Sequence, residues 1–252
     1  IELGYGSDLD LVFVHDSQAG EQTSGPRQVP ANQFYMKLAQ RIMHIFNSRM
    51  SSGILYELDM RLRPSGNSGV LVVHIETFEH YLKEDAWIWE HQALVRSRAV
   101  YGHAAIRRRF DDIKRQVLAV TRSDKQLSGE VISMRNKMRD HLDKSAGDKV
   151  DIKQACGGLV DIEFLAQYLV LLFSHDYPQI ADYSDNIRIF EQLHKAGILD
   201  ENQSQLLVKT YCRLRDLGHR AVLQNEAQLI GKQEFAIYAP DIIKLWQRFL
   251  VE

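Results

Sequence analysis

Near the amino terminus, Gly4-Tyr5-Gly6-Ser7-Asp8-Leu9-Asp10-Leu11-Val12-Phe13-Val14 sets two aspartates one residue apart in an otherwise apolar strand pattern. Carboxylates two positions apart on a strand project from one face. Two such groups repel unless a cation lies between them, and a buried unpaired charge is costly. A third acidic residue, Asp59, lies in the strand-like run from Tyr56 to Pro64. Hard oxygen ligands of this kind suit Mg²⁺, which takes one or two carboxylates, waters and substrate phosphates. The pattern points to phosphoryl or nucleotidyl transfer. The competing reading makes Asp8 a turn or cap residue and Asp10 a solvated strand residue.

The second run sharpens the reading. Tyr56, Leu58, Met60 and Leu62 alternate with Glu57, Asp59, Arg61 and Arg63. One face then packs on a core and the other carries charge. Arg61 and Arg63 become candidate triphosphate clamps, because guanidinium binds phosphate through paired, charge-assisted hydrogen bonds. A cross-strand ion-pair ladder is the alternative for that face. In a two-metal scheme, Asp8 and Asp10 bridge both ions. Asp59 holds the nucleophile-side ion and can accept a proton. Gly6 and Ser7, just before Asp8, and Ser65, in the turn Pro64-Ser65-Gly66-Asn67, are further candidates for contact with the nucleotide. A plain type I or II turn explains Ser65 equally well.

The 252 residues suffice for one large domain or two smaller ones. The formal net charge of -2 argues against a general nucleic-acid binder. No apolar run approaches a membrane span, and no signal-peptide pattern opens the chain. It begins at Ile1 without a methionine and reads as part of a longer protein. Cys156 and Cys212 make no metal spacing and suit free thiols in the cytoplasm.

Strands are expected at Leu9–Val14, Tyr56–Leu62 and Val70–Val73, with a polar loop over Ser17–Arg27. A helix opening at Pro30 carries the stripe Phe34, Leu38, Ile42 and Ile45, and another runs from about Glu76 to Arg98. Beyond Tyr101 only helical periodicity is legible, over Ala104–Val120, Leu127–Leu142, Val160–Phe173, Asn186–Lys195, Glu201–Leu223 and Pro240–Leu250. The expected class is α+β: a small mixed sheet with flanking helices over residues 1–103, then an all-α helical bundle over 104–252.

Other groups fall away. Asp161 and Glu163 lie two apart on a helix and do not share a face; the helix dipole accounts for their charge. The ten histidines make no HxH or HxxxH pair. Arg107-Arg108-Arg109 reads as a solvated helix face, and Trp87 and Trp89 as core or interface.

The aspartate strand resembles that of the polymerase-β-type nucleotidyltransferases. The string from Tyr56 through Arg63-Pro64-Ser65-Gly66 to Val72 and the run Ala86-Trp87-Ile88-Trp89-Glu90-His91-Gln92-Ala93-Leu94-Val95-Arg96 narrow this. Together they resemble the adenylylating half of the bifunctional glutamine synthetase adenylyltransferase/adenylyl-removing family. Gly157-Gly158-Leu159-Val160-Asp161-Ile162-Glu163-Phe164 resembles its helical bundle, which the PII uridylyltransferases share. The resemblance implies AMP transfer from ATP to a tyrosine hydroxyl of glutamine synthetase, with control by glutamine and the PII protein. It also implies a Gly-rich phosphate loop before Ile1, outside this sequence. Three alternatives stand beside it: the deadenylylating half, a uridylyl- or small-molecule-modifying relative, and an inert module that binds PII.

Overall fold

The computed structural model of the chain describes residues 3–54 and 56–252. The described residues form two compact units, one within residues 6–90 and 99–113, the other of residues 3–5, 91–98 and 114–252. The class is α+β, as the sequence implies.

In the first unit the expected strand Leu9–Val14 is divided into β1 (Leu9–Asp10) and β2 (Phe13–His15). β1 pairs in parallel with β3 (Leu58–Asp59), and β2 in parallel with β4 (Val72–His74). The division has a local cause. After Asp59 the partner chain turns away, with Arg63 N–H donating to Met60 O at 3.3 Å. The first strand then finds a new neighbour in β4. The expected strand Tyr56–Leu62 shortens for the same reason, and the mixed sheet resolves into two parallel pairs. Parallel pairing needs a crossover, and α1 (Ala31–Asn47) lies within the one between β1 and β3.

α1 packs on β2, β3 and β4. Its inward face differs from the expected stripe. Ala31 and Ala39 are buried, while Phe34, Leu38 and Ile45 are exposed. Two alanines allow close approach to the strands, so the small side chains set the helix rotation. The single helix expected over Glu76–Arg98 is two, α2 (Ile75–Glu84) and α3 (Ile88–Arg96). Glu90 causes the break. Its buried carboxylate accepts Trp87 N–H at 2.9 Å and Tyr81 Oη–H at 2.7 Å. That satisfies an orphan donor at the start of α3. Trp87 and Trp89 are exposed rather than core. α4 (Ala104–Leu118) follows, contributing residues to both units.

The second unit contains α5 (Asp124–Leu142), α6 (Leu159–Phe173), α7 (Asn186–Lys195), α8 (Glu201–Leu223), α9 (Lys232–Phe235) and α10 (Ala239–Leu250). α6 is apolar nearly all round and packs against α5, α7, α8 and α10. Its residues Ile162, Leu165, Ala166, Leu169 and Leu171 have no exposed surface. Asp185 caps α7, and Asp200 with Gln203 forms a capping box on α8. The region is not purely helical. β5 (Lys149–Asp151) pairs antiparallel with β6 (Leu229–Gly231), Val150 opposite Ile230. Three-residue strands are too short to carry a visible period. No helix among the described residues is long and apolar enough to cross a membrane.

Arg122 ties part of this unit together. Its guanidinium donates to the carbonyls of Val117 at 2.8 Å, Leu118 and Val120 at 2.9 Å, and Leu171 at 3.3 Å. Burial lowers its pKa to about 10, so it stays charged at neutral pH. Arg122→Met should destabilise this unit by about 2–3 kcal/mol, since several carbonyls lose a charged donor. Urea unfolding followed by circular dichroism measures it; a change below about 0.5 kcal/mol would remove this bracing role.

Candidate active site

Pairing brings the acidic residues together. Leu9 stands opposite Leu58 and Asp10 opposite Asp59. Leu9 N–H donates to Glu57 O and Leu11 N–H to Asp59 O, each at 2.9 Å. Residues paired on neighbouring strands lie about 5 Å apart. Asp10 and Asp59 are therefore neighbours across the pair, with Asp8 two positions before Asp10. Asp8 and Asp10 are exposed and Asp59 is half-buried. Partial loss of hydration raises the Asp10 carboxyl above its ordinary pKa, and the charges of Asp59 and then Asp8 add to this, opposed by Arg61. The cluster is a place where negative charge crowds.

Arg61 holds Asp59. Its backbone N–H donates to Oδ1 at 2.8 Å and its Nε to Oδ2 at 2.7 Å, and Nη2 also contacts Oδ2. These hydrogen bonds hold the Asp59 carboxyl below the usual carboxylate range. The charged pairs thus lie within one segment rather than as a ladder across strands. Arg63 is engaged elsewhere. Its guanidinium donates to Met60 O at 2.7 Å and to Asn67 O and Gly69 O at 3.3 Å, bracing its own loop. Ser65 is exposed, in the left-handed region at φ 60°, and its carbonyl accepts Ser68 Oγ–H at 2.7 Å. Gly69 closes this loop, and a Cβ there would lie 1.9 Å from Pro64 O. Gly6, at φ 68°, turns the chain into the aspartate strand, with half-buried Ser7 following.

Three carboxylates and their mutual repulsion fit a hard divalent cation chemically. Among the described residues, however, no three His, Cys, Asp or Glu side chains converge on one metal position. Both oxygens of Asp59 accept hydrogen bonds from Arg61. A cation shared with Asp10 would take the place of that guanidinium.

Two histidines escape spacing rules. His15 and His74 occupy paired positions on β2 and β4, with ring centroids 5.2 Å apart. His15 stacks on Tyr35, and its Nδ1 lies 2.8 Å from Ser17 Oγ. Burial, then His74, lowers its pKa. Both line a cleft of about 820 Å³ with Asp16, Glu21, Asn32 and Glu76. Only the topology joins these residues. Asp161, whose charge the helix dipole alone is expected to explain, has further partners. It is buried, accepting Arg135 Nε–H at 2.6 Å, Arg139 Nη2–H at 3.1 Å and Gly157 N–H at 2.7 Å. Its charge is held by two arginines as well as by its place near a helix start. Cys156 and Cys212 are free and exposed.

Residues 1–113 match the glutamate-ammonia ligase adenylyltransferase family, and residues 131–229 match the GlnD PII-uridylyltransferase family. A bifunctional glutamine synthetase adenylyltransferase/adenylyl-removing enzyme of Psychromonas ingrahamii is 47% identical over 251 residues. That match covers 99% of this chain and 26% of the relative's own length. Carboxylates paired on parallel strands, the loop after Arg63 and this identity point one way: residues 1–113 are similar to the glutamate-ammonia ligase adenylyltransferase family, and the chain spans about a quarter of the length of the curated relative it matches.

Proposed function

We propose that the chain transfers AMP from ATP to a tyrosine hydroxyl of glutamine synthetase. The pairing of Asp10 with Asp59, beside Asp8, carries this reading. The tyrosine oxygen bonds to the α-phosphorus while the bond to pyrophosphate breaks, and the phenolic proton passes to a carboxylate of the cluster. Asp8 and Asp10 would share two Mg²⁺ ions and Asp59 would hold the one on the nucleophile side. Bound Mg²⁺ would offset the charge of the triphosphate and of the attacking and leaving oxygens. Arg61 is the nearer candidate for a phosphate clamp. Arg63 acts by shaping the loop that presents Ser65. Gly6 and Ser7 set the entry to the strand from the nucleotide side.

The catalytic region is proposed to end near residue 103, which the family match ending at residue 113 supports. The helical region from about 104 would carry regulation, with PII and glutamine as effectors; its match over 131–229 supports a shared regulatory architecture. The cytoplasm is the proposed location, shared with the substrate.

The test offers glutamine synthetase, Mg²⁺ and α-labelled ATP to this chain and to one extended at its amino terminus. Label on a synthetase tyrosine, with one pyrophosphate released per AMP, is expected. Absence of transfer by the extended chain refutes the proposal. Phosphate-dependent removal of AMP from adenylylated synthetase would instead assign the deadenylylating activity.

A further inference from the structure

We propose that Arg61 is a tethered counter-cation: it occupies Asp59 in the nucleotide-free protein and releases it when a divalent cation and a nucleotide triphosphate arrive together. The inference rests on the reading above, that Asp8, Asp10 and Asp59 hold the metal.

Geometry carries it. Asp59 is engaged from its own segment, by the backbone N–H of Arg61 and by the same residue's guanidinium. A partner two residues away is always at hand and needs no distant element to move. The arginine side chain is 73% exposed and the aspartate side chain 11%. The cation thus stands on the open side of the carboxylate, where a ligand must enter. Its charge also acts on Asp10 and Asp8. Arg61 already serves as a counter-charge for the whole cluster.

A guanidinium bound to Asp59 cannot also bind phosphate through the same nitrogens, and the carboxylate cannot also bind metal through the same lone pairs. A metal ion alone offers Asp59 a new partner but leaves Arg61 with none. A metal–triphosphate complex serves both at once, cation to Asp59 and phosphate to Arg61. The two ligands should therefore strengthen each other's binding, by the same factor in each direction. Arg63 cannot play this part, because its donors are committed to three carbonyls of its own loop.

The test is Mn²⁺ binding to the 252-residue chain, read by electron paramagnetic resonance without turnover. Without nucleotide, Arg61→Gln should bind Mn²⁺ about tenfold more tightly than wild type, a coupling of ordinary size. A non-hydrolysable ATP analogue should tighten Mn²⁺ binding to wild type and do so far less in Arg61→Gln, which should also bind the analogue more weakly. Arg61→Lys keeps the charge without the fork and should fall between; it carries the test should the glutamine variant not fold. Equal or weaker Mn²⁺ binding in the Arg61 variants overturns the latch. If Asp8→Asn then abolishes Mn²⁺ binding, the metal site survives that failure. Wild-type Mn²⁺ affinity in Asp8→Asn refutes the metal reading and the latch together.

Discussion

Asp10→Asn should lower AMP transfer by about a thousandfold or more while leaving the fold intact. Asp10 is the middle member of the acidic cluster, opposite Asp59 and two residues from Asp8. The amide has the same shape but carries no charge and offers one oxygen instead of two. The same substitution should raise the melting temperature slightly in metal-free buffer at neutral pH. A carboxyl whose pKa is raised in the folded state opposes folding when ionised, and that penalty disappears as pH falls through its folded-state value. Asparagine resembles the protonated acid, so the gain over wild type should fade in acid. Calorimetry at several pH values beside the transfer assay measures both effects. Activity within tenfold of wild type would remove Asp10 from the site. A lower melting temperature at neutral pH would mean that its charge is already compensated.

Asp161→Ala should destabilise the helical unit by about 3–5 kcal/mol, because it leaves a buried guanidinium unpaired. Arg135 has no exposed surface. It gives Nε to Asp161, and its other nitrogens to Gln154 Oε1 at 3.3 Å and Gln154 O at 2.7 Å. The same carboxylate accepts from Arg139 and from Gly157 N–H. Gly157, at φ 80°, leaves no room for a side chain; a Cβ would lie 2.8 Å from Ala239. One carboxylate thus fixes a loop, the start of α6 and the inner face of α5. The double replacement Arg135→Met with Asp161→Leu should recover much of the loss, since an apolar pair needs no neutralisation. Urea unfolding of the two variants decides it. A loss below about 1 kcal/mol for Asp161→Ala would mean that water reaches Arg135.

How far the sequence could be read depended on the range of the forces involved. Helices α7 and α8 were legible end to end, because caps and periodicity are local. The break between α2 and α3 was hidden, since it depends on Glu90 reaching back to Trp87 and Tyr81. The inward face of α1 is not legible, because hydrophobicity favours Phe34 and Leu38, whereas close packing favours Ala31 and Ala39. At the candidate site, residue types and spacing suggested the acidic cluster. They did not reveal that Asp10 stands opposite Asp59, that Arg61 folds back on its neighbour, or that Arg63 braces a loop. Pairing of His15 with His74 had no local signal at all.

The crossover between β1 and β3 has a consequence for how the protein comes into being. Asp10 and Asp59 meet only after the chain between them, α1 included, has closed on itself. Such distant pairings form late in folding, after local contacts. Arg61 and Asp59 are near neighbours in the chain and can pair from the outset. The newborn chain therefore carries its counter-charge before it acquires the repulsion that charge must offset. Electrostatic strain arises only with the final docking of two parallel strands, and a backbone nick within Ser17–Arg27 would cut the covalent connection between Asp10 and Asp59 while removing no site residue.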